Sequence, residues 1–245
     1  MLKSFEIKGG TMKKSVKIIL CIGLVVILSF AGFLYISFNG IPWKKDQVAQ
    51  EIEKYVENKY NTDVEVVDKY FNFKFASYGA TFKDKKDGID FTFETEKTKS
   101  GNYLDFYVES FWASQLREDT EPIIKQCFES LPIESYDYLF TYGIADELQI
   151  KSDNIPNYKT VNSDLVLVLR LKDSWSIESK NRGISETYTF IQELKKKDID
   201  NINLSIYYKL NEKQQQNGNF YSFSFDAGEF KKVQTEKDVE NYLIK

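Results

Sequence analysis

The side chains that could do chemistry here are few in kind. Histidine is absent, which removes the commonest general base, the commonest metal ligand and the usual pH switch. Nucleophilic catalysis needs a nucleophile, an activating base and a group that orients it. Without histidine, a Ser–Lys dyad or a pair of carboxylates remains, and no fixed spacing marks either one. Two acidic groups, Glu118-Asp119-Glu121 and Asp84 with Asp87, could offer oxygen ligands to calcium. Neither carries the D-x-[DN]-x-[DN]-G loop. The first is expected around a helix N-terminus, where acids complement the dipole. Cys127, four residues after Ile123 and next to Phe128, reads as a small buried apolar residue rather than a reactive thiol. Arg170 closes the most apolar run and reads as a strand end reaching solvent rather than an anion site. No catalytic, cofactor-binding or metal-ligating residue is assigned, no cofactor is expected, and an enzyme is not the expected reading.

Composition narrows the classes further. The chain has 245 residues, 42% hydrophobic and 16% aromatic, which is ample for a packed core and too aromatic for a disordered chain. Charge is unevenly placed. Residues 1–17 hold five Lys against Glu6, so the remainder carries a net −8 within a chain total of −4. An acidic outer region argues against binding nucleic acid or an anionic surface in bulk. Cys21 and Cys127 are expected on different sides of the membrane boundary, so a disulfide between them is not expected; sparse cysteine fits an exported protein.

The longest uncharged run is IILCIGLVVILSFAGFLYISF, residues 18–38. As a helix it spans about 31 Å, matching a hydrocarbon core of about 30 Å. Lys13, Lys14 and Lys17 precede it, so the positive-inside rule puts residues 1–17 in the cytoplasm and the chain from Asn39 outside. Tyr35 and Trp43 fall where interfacial aromatics are favoured. Ser29-Phe30-Ala31 has the small-x-small pattern of a signal-peptidase site, but the apolar run continues to Phe38, so the helix is expected to stay as a signal anchor. Leu20-Cys21 lacks the small residue that a lipobox needs before its cysteine. Met12-Lys-Lys-Ser-Val-Lys opens like a signal anchor, and residues 1–11 are expected to be leader sequence upstream of the true start.

Periodicity supplies the rest. Val48, Ala49, Ile52, Tyr55, Val56 and Tyr60 form an amphipathic helical stripe. Strands are predicted over Val64–Tyr70, Phe71–Phe75, Tyr78–Lys83, Ile89–Glu96 and Tyr103–Ser110, with Asp87-Gly88 as a hairpin turn. Trp112 to Leu131 suits helical spacing, as one kinked helix or two, with Thr120 a candidate N-cap before Pro122. Beyond Pro132, strands are predicted at Tyr136–Tyr142, Leu165–Leu169, Ile202–Leu210 and Phe220–Phe225. A helix is predicted over Ile184–Lys197, a polar turn over residues 211–218, and a last helix after the capping box Thr235–Asp238. The fold class is α+β: a transmembrane helix followed by two small antiparallel-sheet-plus-helix domains, 44–131 and 132–245, the second compatible with a ferredoxin-like or related sandwich.

The signal anchor with Trp43 and the Glu/Lys-rich helix, Tyr78-Gly79-Ala80-Thr81-Phe82, Asp105-Phe106-Tyr107-Val108, and Trp112 through Pro122-Ile123-Ile124 to Phe128 resemble the YfjL-like proteins. The resemblance covers mainly residues 12–131. It implies a membrane-anchored protein of a Gram-positive bacterium, in keeping with lysine-rich coding, and it implies no activity. The expected role is a single-pass membrane protein whose extracytoplasmic module binds an envelope protein or peptide, with no nucleic-acid partner. An envelope hydrolase and a toxin-immunity-type membrane protein are the alternatives from other classes.

Overall fold

The computed structural model describes residues 14–150, 154–209 and 221–244. The basic segment through Lys13, the expected start at Met12 and the polar turn at 211–218 lie outside those residues. Helix α1, Lys14–Asn39, is about 39 Å long at helical rise. Every side chain described along it, Lys17 to Asn39, is exposed, and it is long and apolar enough to cross a membrane. Gly40, at φ +71°, ends it. Helix α2, Pro42–Tyr60, starts with proline where the missing N–H costs nothing. It buries Val48, Ala49, Ile52, Val56 and Tyr60, the predicted stripe save Tyr55, which is half-buried, and stops at Asn61 in the left-handed region.

Strands β1 (Glu65–Asn72), β2 (Ser77–Lys86), β3 (Ile89–Lys97) and β4 (Tyr103–Asp105) form an antiparallel sheet in sequential order. Asp87 and Gly88 both take positive φ between β2 and β3, the tight turn that their sequence predicts. Ala80, Phe82, Phe91 and Phe93 point into the core, where α2 and helix α3 (Tyr107–Cys127) cover them. Three expectations fail in this stretch. The strand predicted over Phe71–Phe75 stops at Asn72, and residues 73–76 are the turn that returns the chain into β2, with Ala76 at positive φ. Residues Tyr107–Ser110 are the first turn of α3 rather than strand, because the Asp105 carboxylate accepts the Tyr107 N–H at 3.0 Å and starts a helix there. Thr120 caps nothing. It lies inside α3, its hydroxyl bonded to the Leu116 carbonyl at 2.7 Å and to Tyr138 Oη at 2.9 Å. Helix α3 runs unbroken through Pro122, which sits on its exposed face. Glu118, Asp119 and Glu121 are therefore mid-helix and do not complement an N-terminal dipole.

The second sheet runs β5 (Ile133–Leu139), β6 (Val166–Ser174), β7 (Asn203–Lys209), β8 (Ser222–Phe225) and β9 (Leu243–Ile244), also in sequential order. Helix α5 (Ile177–Lys196) carries the chain from β6 to β7, which pair in parallel; the other pairs are antiparallel. A ferredoxin-like sheet interleaves its strands, so the sequential order rules that topology out. Strand β6 is central and buries Leu167, Val168, Leu169 and Leu171, as its unbroken apolar run predicts. It continues past Arg170, which stands mid-strand and pairs with Asp137 on the solvent side. Asp238 accepts the Thr235 N–H at 2.8 Å and opens helix α6 (Glu236–Val239). That helix is a single turn, and Leu243 belongs to β9 rather than to it. A short helix α4 (Ile144–Glu147) and a 3-10 turn at Tyr158–Thr160 lie between β5 and β6.

Helix α3 serves both halves. Phe91 and Phe111 pack at 5.3 Å on the first sheet, while Phe128, just past the end of α3, meets Phe190 of α5 at 5.5 Å. The Trp112 indole N–H donates to the Pro156 carbonyl at 2.8 Å. One hydrophobic core runs through both sheets.

Candidate functional site

Asp105 is the pivot of the first sheet. Its side chain is 3% exposed and accepts from Lys59 at 2.9 Å and Tyr60 at 2.8 Å, besides the Tyr107 N–H. Burial alone would lower the Lys59 amine, but the Asp105 charge outweighs it and holds Lys59 well above its ordinary value. Tyr60 stacks on Tyr107 at 3.9 Å, and the Tyr107 hydroxyl donates to Asp84 at 2.5 Å, where Thr62 also donates. Burial and the neighbouring carboxylates push both phenols upward. This chain of groups ties α2, β2, β4 and α3 together. Its members are spent on one another, so it is a scaffold more than a reactive centre.

By starting α3, Asp105 also peels the chain away from the sheet after three residues. Strand β4 pairs only with Thr95, Glu96 and Lys97, and the Phe106 N–H adds one bond to the Glu94 carbonyl at 3.2 Å. Among the described residues no strand pairs with β3 beyond that side of Glu94. Backbone groups alternate along a strand, so Thr92 and Asp90 turn their N–H and C=O to the same open side as Glu94. Both residues are exposed. Beside this edge Phe106 and Tyr142 pack at 4.5 Å, and Phe140 meets Tyr142 edge-on at 5.6 Å. Together with Thr81, Thr92, Glu94 and Ser110 they line an open cleft of about 300 Å³. Tyr142 is 69% exposed. Glu94 gives the strip an acidic side chain, while Asp90 is paired across the hairpin with Lys85 at 3.6 Å.

Residues 12–120 match the model of the YfjL-like N-terminal domain. The matched span takes in α1, α2, the whole first sheet and α3 as far as Thr120, in agreement with the resemblance read from the sequence. Thr92, Glu94 and Phe106 lie within the YfjL-like span, while Phe140 and Tyr142 reach the cleft from beyond it. No curated protein and no solved structure matches the chain.

The residues singled out from the sequence do not converge. Asp119 takes the Tyr158 hydroxyl at 2.9 Å and the Lys159 ammonium at 2.8 Å, which leaves Glu118 and Glu121 apart on the helix surface. Asp84 turns inward to Thr62 and Tyr107, while Asp87 sits in the exposed hairpin turn. Among the described residues no group of three or more Cys, Asp or Glu is placed to hold a metal ion. No lysine ammonium among them bonds a serine hydroxyl. Cys127 is buried, and burial pushes its thiol up to about 11. It and Cys21 are both free thiols.

Two larger clefts, each about 690 Å³, are polar. The first surrounds Asp84 at the β2–β3 end. In the second, Lys159 pairs with Asp119, Lys231 with Asp200, and Lys195 donates to the Val233 carbonyl at 2.6 Å. Sequence reasoning missed Asp105, Phe106, Phe140 and Tyr142. Asp105 was findable as an Asx residue two positions before a helix start. The aromatic trio gave no signal, because 36 residues of chain separate its first and last members.

Proposed function

We propose that the chain is a membrane-tethered module that binds an extended segment of a partner as an added strand on β3. The open edge at Thr92 and Asp90 beside the Phe106, Phe140 and Tyr142 cleft carries this reading. Strand addition draws affinity from main-chain hydrogen bonds and specificity from pockets for alternate side chains. Here the aromatic cleft takes an apolar side chain, and Glu94 favours a basic neighbour. Helix α1 anchors the module in the cell membrane as a single pass. Lys14 and Lys17 on its N-terminal side argue for a cytoplasmic N-terminus and an extracytoplasmic module. The role asks no covalent chemistry of the protein, and its partner is an envelope protein or peptide.

A photo-cross-linking residue at Thr92 or Tyr142 of the full-length protein, in native membranes, tests this against the same residue at Glu178 on α5. One partner captured from both sites, absent at Glu178, is the expected result. Thr92→Pro should abolish capture because it removes an edge N–H, whereas Thr92→Ala should retain it. Capture that survives Thr92→Pro, or that is equal from Glu178, would overturn strand addition.

A further inference from the structure

The end of α1 is fastened to the first sheet at one place. Phe38 packs edge-on against Phe73 in the β1–β2 turn, with ring centres 5.7 Å apart. A Cβ at Gly40 would lie 2.6 Å from Phe71 Cγ, so only glycine lets the chain pass there. The Ile41 N–H donates to Tyr78 Oη at 3.0 Å, and the Lys44 ammonium stands 5.0 Å above the Tyr78 ring. The β1–β2 turn therefore lies at the C-terminal end of α1. The strand register brings Lys97 to Tyr78, so the β3–β4 turn at residues 98–101 is at the same end.

The surface at this end differs from the rest of the molecule. Phe75 and Trp43 are each 72% exposed and Phe73 is 53% exposed, continuing the exposed aromatic residues Tyr35 and Phe38 of α1. Lys44, Lys74 and Lys99 are exposed around them. Of the acids at this end, Asp46 is paired with Lys69 at 2.7 Å, Glu51 with Lys97 at 2.6 Å, and Glu96 accepts from Asn72 and Ser77, which flank the turn. Basic charge thus gathers beside α1, although the chain after Lys17 sums to −8. Aromatic side chains ringed by lysines match the membrane–water interface, where aromatic rings settle at headgroup level and lysines meet anionic lipids.

We propose that the Phe73–Phe75 tip inserts into the headgroup region of the bilayer that α1 spans, and that Lys44, Lys74 and Lys99 bind anionic headgroups around it. The module then sits flush on the lipid surface with a fixed orientation. This rests on the reading of α1 as a membrane anchor. It refines the inference from bulk charge: the acidic excess lies away from the face that meets the lipid.

The test uses the full-length protein with Cys21→Ser, in nanodiscs of phosphatidylcholine and phosphatidylglycerol. Cys127 is buried and leaves introduced cysteines as the sites for an environment-sensitive NBD label. Ile27→Cys reports the anchor, Phe75→Cys the tip, and Lys85→Cys the opposite end of the sheet. Quenching is read with nitroxide lipids, labelled at the headgroup or deep in the chain. The expected result is deep quenching at position 27 and headgroup-level quenching at 75 that exceeds that at 85 by about twofold or more. The discs hold no envelope partner and only the lipid carries the nitroxide, so quenching at 75 reports lipid directly. Deep quenching at 27 with position 75 no better quenched than 85 overturns the tip insertion and leaves the anchor standing. Absence of quenching at 27 overturns the anchor and the inserted tip with it.

Discussion

Removing the Asp105 carboxylate is the most informative perturbation of the scaffold. Asp105→Ala leaves the Lys59 ammonium and the buried Tyr60 hydroxyl without their acceptor and deletes the group that starts α3. Breaking a buried ion pair from one side costs about 3–5 kcal/mol. Lys59 keeps 28% of its side chain exposed, so water screens part of that loss and the ionic share falls to about 2 kcal/mol. The orphaned Tyr60 hydroxyl adds about 1–2 kcal/mol, and the lost helix start about 1 kcal/mol. Because these share one network they do not add fully, and a total of about 3–5 kcal/mol is expected. For a domain of this size that is a fall in Tm of about 6–20 °C. Asp105→Asn keeps the acceptor for the Tyr107 N–H and should lose about half as much. Lys59→Met in the Asp105→Ala background should recover about 1–2 kcal/mol by removing the stranded charge. Denaturant titration of the full-length protein, followed by the fluorescence of buried Trp112, measures all three. A loss under about 1 kcal/mol for Asp105→Ala, or equal losses for Ala and Asn, would refute the assignment of Asp105 as the pivot.

Two further outcomes follow from the packing. A Cβ at Gly183 on α5 would collide with the Tyr208 hydroxyl, which donates to the Ser179 carbonyl at 3.0 Å; Gly183→Ala should cost about 2–4 kcal/mol from overpacking and the lost bond. Tyr208→Phe in that background should restore part of the loss, and thermal unfolding that shows Gly183→Ala to be neutral would contradict the close approach of α5 to β7. Glu109 is buried, with one carboxylate oxygen accepting the Ala145 N–H at 3.1 Å and the other without a partner. Burial holds its folded-state pKa above the ordinary carboxylate value, so the native state keeps this proton longer than the unfolded chain does. The stability tied to it is therefore full below the unfolded carboxylate pKa and is lost as pH rises through the raised one. Glu109→Gln should gain stability relative to the unsubstituted protein across that window, and paired denaturation curves that stay parallel from acid to neutral pH would refute the shift.

Much of the architecture was legible because single segments state it. The uncharged run of α1, the alternation of Ile89–Glu96 and the Asp87-Gly88 turn each carry a local signal that the tertiary structure had no reason to override. The misreadings arise where a local signal competes with a distant contact. Phe106-Tyr107-Val108 favours strand by side-chain type, but Tyr107 and Phe111 share a helical face that packs on Tyr60 of α2 and Phe91 of the first sheet. Thr120 before Pro122 looks like a helix start, yet the Tyr138 hydroxyl from β5 meets that threonine inside a continuous helix. The candidate site was the least legible part, since an open strand edge is defined by where a neighbour stops. Strand β4 ends because of the Asp105 turn, and Tyr142 is brought in by a segment that follows the second sheet's first strand.

The sharing of α3 between the two sheets has a consequence for the growing chain. Once Phe128 has emerged from the ribosome, the first sheet can close on one side of α3, but Leu116, Ile123, Ile124 and Phe128 also need the second half. Phe190, which covers Phe128, is still about 60 residues away, which is about 3–12 s of synthesis at usual elongation rates. Throughout that interval the nascent chain presents α3 with one apolar face uncovered. A folding helper that shields that helix would act here, and premature termination between these points would leave an adhesive fragment.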